Sequence, residues 1–189
     1  MPVDEARRDP SLTAFRAQLV RAVETRDTTF VLSVLAPNIL NSFGGDGGVG
    51  EFRHHWQLAA GGARLWTTLH DILTHGGSFL NDSLFEAPYW SAGWRGAFDI
   101  ADHAVVIDRH LRVRAGPRPE AASMGTLSYD IVQTPGALAL SDTGWTAIQL
   151  KDGRTGYVPS RYLRSPDGYR LDLAKHGGRW YVSSLVAGD

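Results

Sequence analysis

The sequence predicts an α+β protein with a helix-rich N-terminal lobe carrying a small sheet, a run of short strands forming a sandwich or small barrel, and a C-terminal hairpin that docks back on the first lobe. Three observations predict it. Apolar side chains recur at helical spacing as far as residue 75. From residue 103 the pattern changes to short β segments separated by turn residues. The chain then ends in two alternating runs joined by His176-Gly177-Gly178, a hairpin signal. The boundaries that follow are 9–104, 105–166 and 167–189.

The elements are read in order. Only the first ten residues are polar enough to stay disordered. Asp9-Pro10-Ser11 starts a helix, and Leu12, Phe15, Leu19 and Val23 share one of its faces. Asp27 caps a second helix running through Ala36, with Phe30, Val31, Val34 and Leu35 inward, and Pro37 stops it. Residues 39–43 read as a short strand. The glycine-rich turn GGDGGVG follows, and its Asp46 caps a helix from Val49 that buries Phe52, Trp56, Ala59 and Ala60 and ends at Gly61-Gly62. A further helix from Arg64 places Leu65, Trp66, Leu69, Ile72 and Leu73 on one face and closes at His75-Gly76-Gly77. Residues 85–98 are aromatic-rich without a clear period and read as an irregular connection with a short strand.

In the β-rich part, strands are expected over 105–107, 111–113, 126–132, 145–150 and 156–158. In the final hairpin Tyr169, Leu171 and Leu173 share a side, as do Trp180 and Val182. A lone hairpin is unstable in water. The first lobe, rich in amphipathic helices and poor in strands, is its natural partner.

Composition narrows the function. Apolar residues make up 43% and charged residues 21%, ordinary for a globular protein. A net charge of −1 argues against non-specific nucleic-acid binding. The charge is uneven: residues 107–189 hold 11 of the 19 basic and 8 of the 20 acidic side chains, a net of +3. There is no cysteine, hence no disulfide or thiolate metal site. No apolar run approaches the ~20 residues of a membrane span. The start, MPVDEARRDP, lacks the apolar core of a signal peptide, so the expectation is either a cytoplasmic protein or an exported one whose signal has been removed.

The segment 105–166 resembles the bacterial SH3 family through three landmarks in order. Leu111-Arg112-Val113-Arg114-Ala115-Gly116-Pro117 is similar to the family's "LNVRSGP", and Met124-Gly125-Thr126-Leu127 to its "VIGTL". The stretch from Trp145 through Ile148, the Gly153 turn and Thr155-Gly156-Tyr157-Val158 to Tyr162-Leu163 is similar to "WVKVRLANGKTGYVHSSYL". The match covers about a third of the chain. It departs at Tyr129-Asp130, where the family has a Lys-Gly turn, and in a longer loop over 133–144. The flanks are similar to uncharacterised bacterial SH3-domain-containing proteins, commonly made with a signal peptide, which implies a periplasmic or extracytoplasmic location. The order of helices and strands, with a late Trp-bearing hairpin, resembles nuclear-transport-factor-2-like cone folds.

Residues with chemistry are sparse. His54 and His55 point about 100° apart on a helix, and His70 and His75 are five apart, so none of the four is expected to hold a metal. GGDGGVGE offers only Asp46 and Glu51 as calcium ligands and lacks the ending of a phosphate loop. No G-x-S-x-G elbow occurs, and Asp99/Asp102 is a carboxylate pairing common by chance. The aromatic cluster Tyr89, Trp90, Trp94 and Phe98 fits a core better than a sugar-stacking surface. In the SH3-like segment Arg112 and Arg114 share a strand face, and with Arg161, Tyr129 and Tyr162 they border a ligand groove. A solvated basic face explains the same residues equally.

The expectation is a non-enzymatic cell-envelope binding protein without catalytic residues or cofactor. Its SH3-like module would recognise peptidoglycan peptide or a protein partner, as the resemblance implies. The rivals are a small cell-wall hydrolase and a cone-fold small-molecule-binding protein, each targeted by the SH3-like part.

Overall fold

A computed structural model describes residues 2–44, 47–93, 98–135 and 144–188. In chain order the helices are α1 (Pro10–Glu24), α2 (Thr28–Ser33), α3 (Val49–His55), α4 (Ala63–Thr74) and α5 (Tyr89–Gly93). The strands are β1 (Leu35–Leu40), β2 (Ser78–Asn81), β3 (Leu84–Ala87), β4 (His103–Val106), β5 (Leu111–Arg114), β6 (Ser123–Leu127), β7 (Ile131–Gln133), β8 (Trp145–Gln149), β9 (Thr155–Pro159), β10 (Leu163–Arg164), β11 (Arg170–His176) and β12 (Arg179–Val186). The protein is a mixed α+β chain with two sheets. Of the described residues, 2–93 and 169–188 form one compact unit and 98–168 a second.

In the first unit the sheet order is β1-β12-β11-β3-β2. The β1–β12 pair is parallel and the others antiparallel. The hairpin β11–β12 therefore supplies the central strands. Its turn residues Gly177 and Gly178 both take positive φ, which glycine adopts without penalty. Leu171, Leu173, Trp180, Val182 and Leu185 enter one core cluster with Leu12, Leu19 and Val23 of α1 and Leu65, Leu69 and Leu73 of α4. Asp9 caps α1 by accepting from the backbone N–H of Ser11 (2.7 Å) and Leu12 (3.2 Å), with Pro10 in the first turn. Gly77 lies so close to β3 that an added Cβ would collide with the Glu86 carbonyl oxygen and the Phe85 ring.

Four readings of this unit are corrected. The first residues are anchored: Glu5 N–H donates to the Gly77 carbonyl (2.9 Å), and the Phe79 N–H donates to the Glu5 carboxylate (2.8 Å). Helix α2 stops at Ser33, and the strand begins at Leu35 instead of Ile39. Pro37 disfavours helical backbone at Ala36, and pairing of Leu35 with Val182 draws the chain into the sheet edge, where a proline is tolerated. Helix α3 ends at His55, because Gln57 turns left-handed (φ 50°) and a short 3-10 turn, Leu58–Ala60, follows. The 85–98 stretch begins within β3 and continues into α5; Trp90 is buried, Phe98 is exposed, and Trp94 lies outside the described residues.

In the second unit the order is β10-β4-β7-β8-β9-β5-β6, with every pair antiparallel. Ala104, Val106, Leu111, Val113, Val132, Ile148, Val158 and Leu163 share one small apolar core. The end strands β10 and β6 are not paired with each other, so among the described residues the sheet does not close into a barrel. The single strand expected over 126–132 is broken into β6 and β7 by Tyr129 (φ 58°), while Ser128 N–H donates to Asp130 Oδ2 (2.7 Å). The two pieces then pair differently, β6 with β5 and β7 with β4 and β8. Among the described residues no helix is long and apolar enough to cross a membrane.

Candidate functional site

The β-strand period determines what the second unit presents outward. Leu111 and Val113 of β5 are buried, so Arg112 and Arg114 stand on the opposite face. On β8 Thr146 and Ile148 are buried, and Trp145 falls on the face away from them. Antiparallel pairing sets Trp145 opposite Pro159 and Arg114 opposite Tyr157. Pro159 then leads into a 3-10 turn, Ser160–Tyr162, that carries Arg161. These residues meet in a groove of about 290 Å³ lined by Leu111, Arg112, Arg114, Pro119, Trp145, Pro159 and Arg161.

The side chains of the groove are held from behind. Arg114 Nη1 donates to the Ala121 carbonyl (3.1 Å), fastening the loop that brings Pro119 to the rim. The Arg161 guanidinium lies over the Tyr162 ring at 4.6 Å, and its Nη2 donates to the Tyr162 hydroxyl (3.3 Å). Among the described residues no carboxylate forms an ion pair with Arg112, Arg114 or Arg161. Arg154, by contrast, is paired with Asp152 at 2.7 Å, and its hydrogen bonds hold the Asp152 carboxyl below the usual carboxylate range.

Of the five residues read from the sequence, three line the groove: Arg112, Arg114 and Arg161. Tyr162 supports Arg161 and packs partly on the core. Tyr129 stands apart, in the turn between β6 and β7 with Arg109 over its ring at 5.7 Å. The sequence reading missed Trp145, Pro119 and Pro159 as lining. The signal available for Trp145 was its place one residue before the inward Thr146 in an alternating strand.

His55, His75, Asp99 and Asp102 are engaged structurally. His55 Nε2 accepts from Arg64 Nη2 (3.1 Å) and lies 3.2 Å from the Tyr169 hydroxyl, which leaves its proton on Nδ1. His75 Nδ1 donates to the Asp71 carbonyl at 2.6 Å. Asp102 accepts from Gln133 Nε2 (3.0 Å) and from His103 Nδ1 (2.5 Å), and these bonds, the Gln133 one foremost, hold its carboxyl low. Asp99 caps its own turn through the Ala101 N–H (2.9 Å). Among the described residues no three His, Asp or Glu side chains gather as a metal site. Asp46 and most of the 133–144 loop lie outside the described residues. The interior of the first unit is filled by Phe52, Trp56, Leu65, Leu69, Phe85 and Leu171, all nearly inaccessible.

Comparison of the chain with family models, with curated proteins and with solved structures finds no match.

Proposed function

We propose that this chain is a non-enzymatic binding protein of the bacterial cell envelope, working outside the cytoplasm. In this reading residues 105–166 are an SH3-like module that takes peptidoglycan peptide in the groove between β5, β8 and the turn after β9. The observation that carries the reading is the convergence of Arg112, Arg114 and Trp145 on one outer sheet face with Arg161 on the adjoining 3-10 turn. Guanidinium groups, an indole and prolines bind and orient a peptide but supply neither a nucleophile nor a titrating acid–base pair near neutral pH. The three sequence landmarks of the bacterial SH3 type fall on β5 and its following turn, on β6, and on the β8–β9 hairpin. The core of the first unit is filled, and the hollow of about 430 Å³ between α1, α2 and β12 is a surface cleft rather than an enclosed pocket.

The test is co-sedimentation of the full chain with purified peptidoglycan sacculi. Wild type is expected to sediment with the sacculi, and Trp145→Ala to remain in solution. Wild type left wholly in the supernatant would sink the reading.

A further inference from the structure

We infer that the groove selects an anionic ligand: a short peptide whose free carboxylates are taken by Arg112, Arg114 and Arg161 while an aliphatic portion lies against Trp145, Pro119 and Pro159. This rests on the reading of the groove as the binding surface and deepens it by naming the charge and chemistry of what binds.

Three guanidiniums line a space of about 290 Å³ with no carboxylate paired to any of them among the described residues. An arginine cannot relieve such crowding by losing its proton, because the delocalised guanidinium stays protonated in proteins. The positive charge therefore persists at every physiological pH. The acids nearest in sequence, Asp108, Glu120 and Asp167, form no ion pair with these arginines among the described residues: Asp108 accepts from the Arg109 N–H (2.7 Å), and Glu120, beside Pro119, is exposed. Asp152, further along the chain, is committed to Arg154.

Donor capacity is also left over. A guanidinium carries five N–H groups. Arg114 gives Nη1 to Ala121 and Arg161 gives Nη2 to Tyr162, while the Arg112 side chain makes no hydrogen bond among the described residues. The two bonds that are made fix the orientation of their forks, so less side-chain entropy is lost on binding. Planar forks held this way match carboxylates bidentately, and charge-assisted bonds of this type are about twice as strong as neutral ones. The indole and the prolines add apolar surface beside the charges, which suits a peptide better than a bare inorganic anion.

The experiment is calorimetric titration of the full chain with Ala-Glu-Ala-Glu-Ala bearing a free C-terminus, and with Ala-Gln-Ala-Gln-Ala amidated at its C-terminus, at 50 and 500 mM NaCl. The acidic peptide is expected to bind about tenfold or more tighter than the neutral one, a difference that shrinks at high salt. Arg112→Gln and Arg114→Gln are each expected to weaken the acidic peptide about five- to tenfold with an unchanged thermal melt, and Arg154→Gln to leave it unaltered. Equal binding of both peptides, indifference to the Arg112 and Arg114 variants, or competition by tripolyphosphate stronger than by the acidic peptide overturns the inference. Retention on sacculi that is independent of charge and salt overturns the inference and leaves the binding function standing. Failure of the chain to hold sacculi or either peptide removes both.

Discussion

Asp172 Oδ2 accepts a 2.6 Å hydrogen bond from the Ser184 hydroxyl across the β11–β12 pair, at the centre of the five-stranded sheet. Oδ1 of the same carboxylate is buried without a partner among the described residues. Glu86 is the cross-strand neighbour on β3, and Arg170 lies two residues away on the same strand. Burial is the leading influence and raises the Asp172 pKa above 3.8, against the opposing pull of Ser184 and Arg170.

A carboxyl whose pKa is raised by folding stabilises the fold while protonated and loses that contribution as pH rises through its folded value. Ionised Asp172 is thus a cost at neutral pH. Asp172→Asn keeps an acceptor for Ser184 and removes the charge. It is expected to stabilise the protein by about 1 kcal/mol at pH 7 and to lose that advantage below about pH 3.8, where wild type is protonated too. Thermal melts at pH 7 and pH 3.5 check it. An equal effect at both pH values would show that charge burial is not the cause.

Asp9 behaves with the opposite sign. Lys175 Nζ donates to it at 2.7 Å, Ser11 donates through both its hydroxyl and its backbone N–H, and these contacts, the Lys175 one foremost, hold the carboxyl far below its usual range. A depressed carboxyl contributes stability above its unfolded pKa and loses it as pH falls toward the folded value. Asp9→Ala is expected to cost about 1–2 kcal/mol at pH 7, the usual scale for an N-cap. The cost should shrink as pH falls below about 3.8, where Asp9 of the unfolded chain protonates while the folded carboxyl still holds its charge. Urea denaturation of both proteins at pH 7 and pH 2.5 measures the difference.

Removing residues 169–188 takes out β11 and β12, and with them the partners of β1 and β3. Leu171, Leu173, Trp180, Val182 and Leu185 leave the core at once. Each such side chain is worth about 1.5–3 kcal/mol when fully buried, so the loss of five is comparable to the whole stability of an ordinary domain, about 5–15 kcal/mol. The helical circular dichroism is expected to collapse while the dispersed amide signals of 98–168 persist. Retained helicity with a cooperative melt would contradict the placement of these strands at the sheet centre.

What was legible in the sequence was local and periodic. The apolar spacing of Leu65, Trp66, Leu69, Ile72 and Leu73 marked α4 completely, and alternation around Gly177-Gly178 marked the terminal hairpin. Elements defined by their partners were harder to see. Val34 and Leu35 continue the inward face of α2 in sequence, and only pairing with β12 makes Leu35 a strand residue. β3 is four residues long, too short to show a period, and gains its identity from β11 and β2. The candidate site divides in the same way. Arg112 and Arg114 follow from period two, whereas Trp145 joins them through the register that sets it against Pro159. Tyr129 falls outside the groove because its left-handed backbone ends β6 and puts it in the turn before β7, a conformation that a tyrosine does not announce as a glycine would.

Gly156 shows how closely β5 and β9 approach. A Cβ added there would collide with Val113 Cγ1, and no positive φ accounts for the glycine, so the constraint is steric. Gly156→Ala is expected to destabilise the second unit by about 1–3 kcal/mol, the range for overfilling a packed core. Val113→Ala alone leaves a cavity and is expected to cost about 1–3 kcal/mol. Combined, the new methyl occupies part of the space that Val113 vacates, so the double variant should be more stable than the sum of the two losses allows. The coupling is expected at about 1 kcal/mol or more, well outside the error for independent sites. Denaturation of all four proteins, followed through the amide signals of β5 and β9, measures the cycle. Strict additivity would mean that the strands separate to accept the methyl group, and that Val113 is not what requires glycine at residue 156.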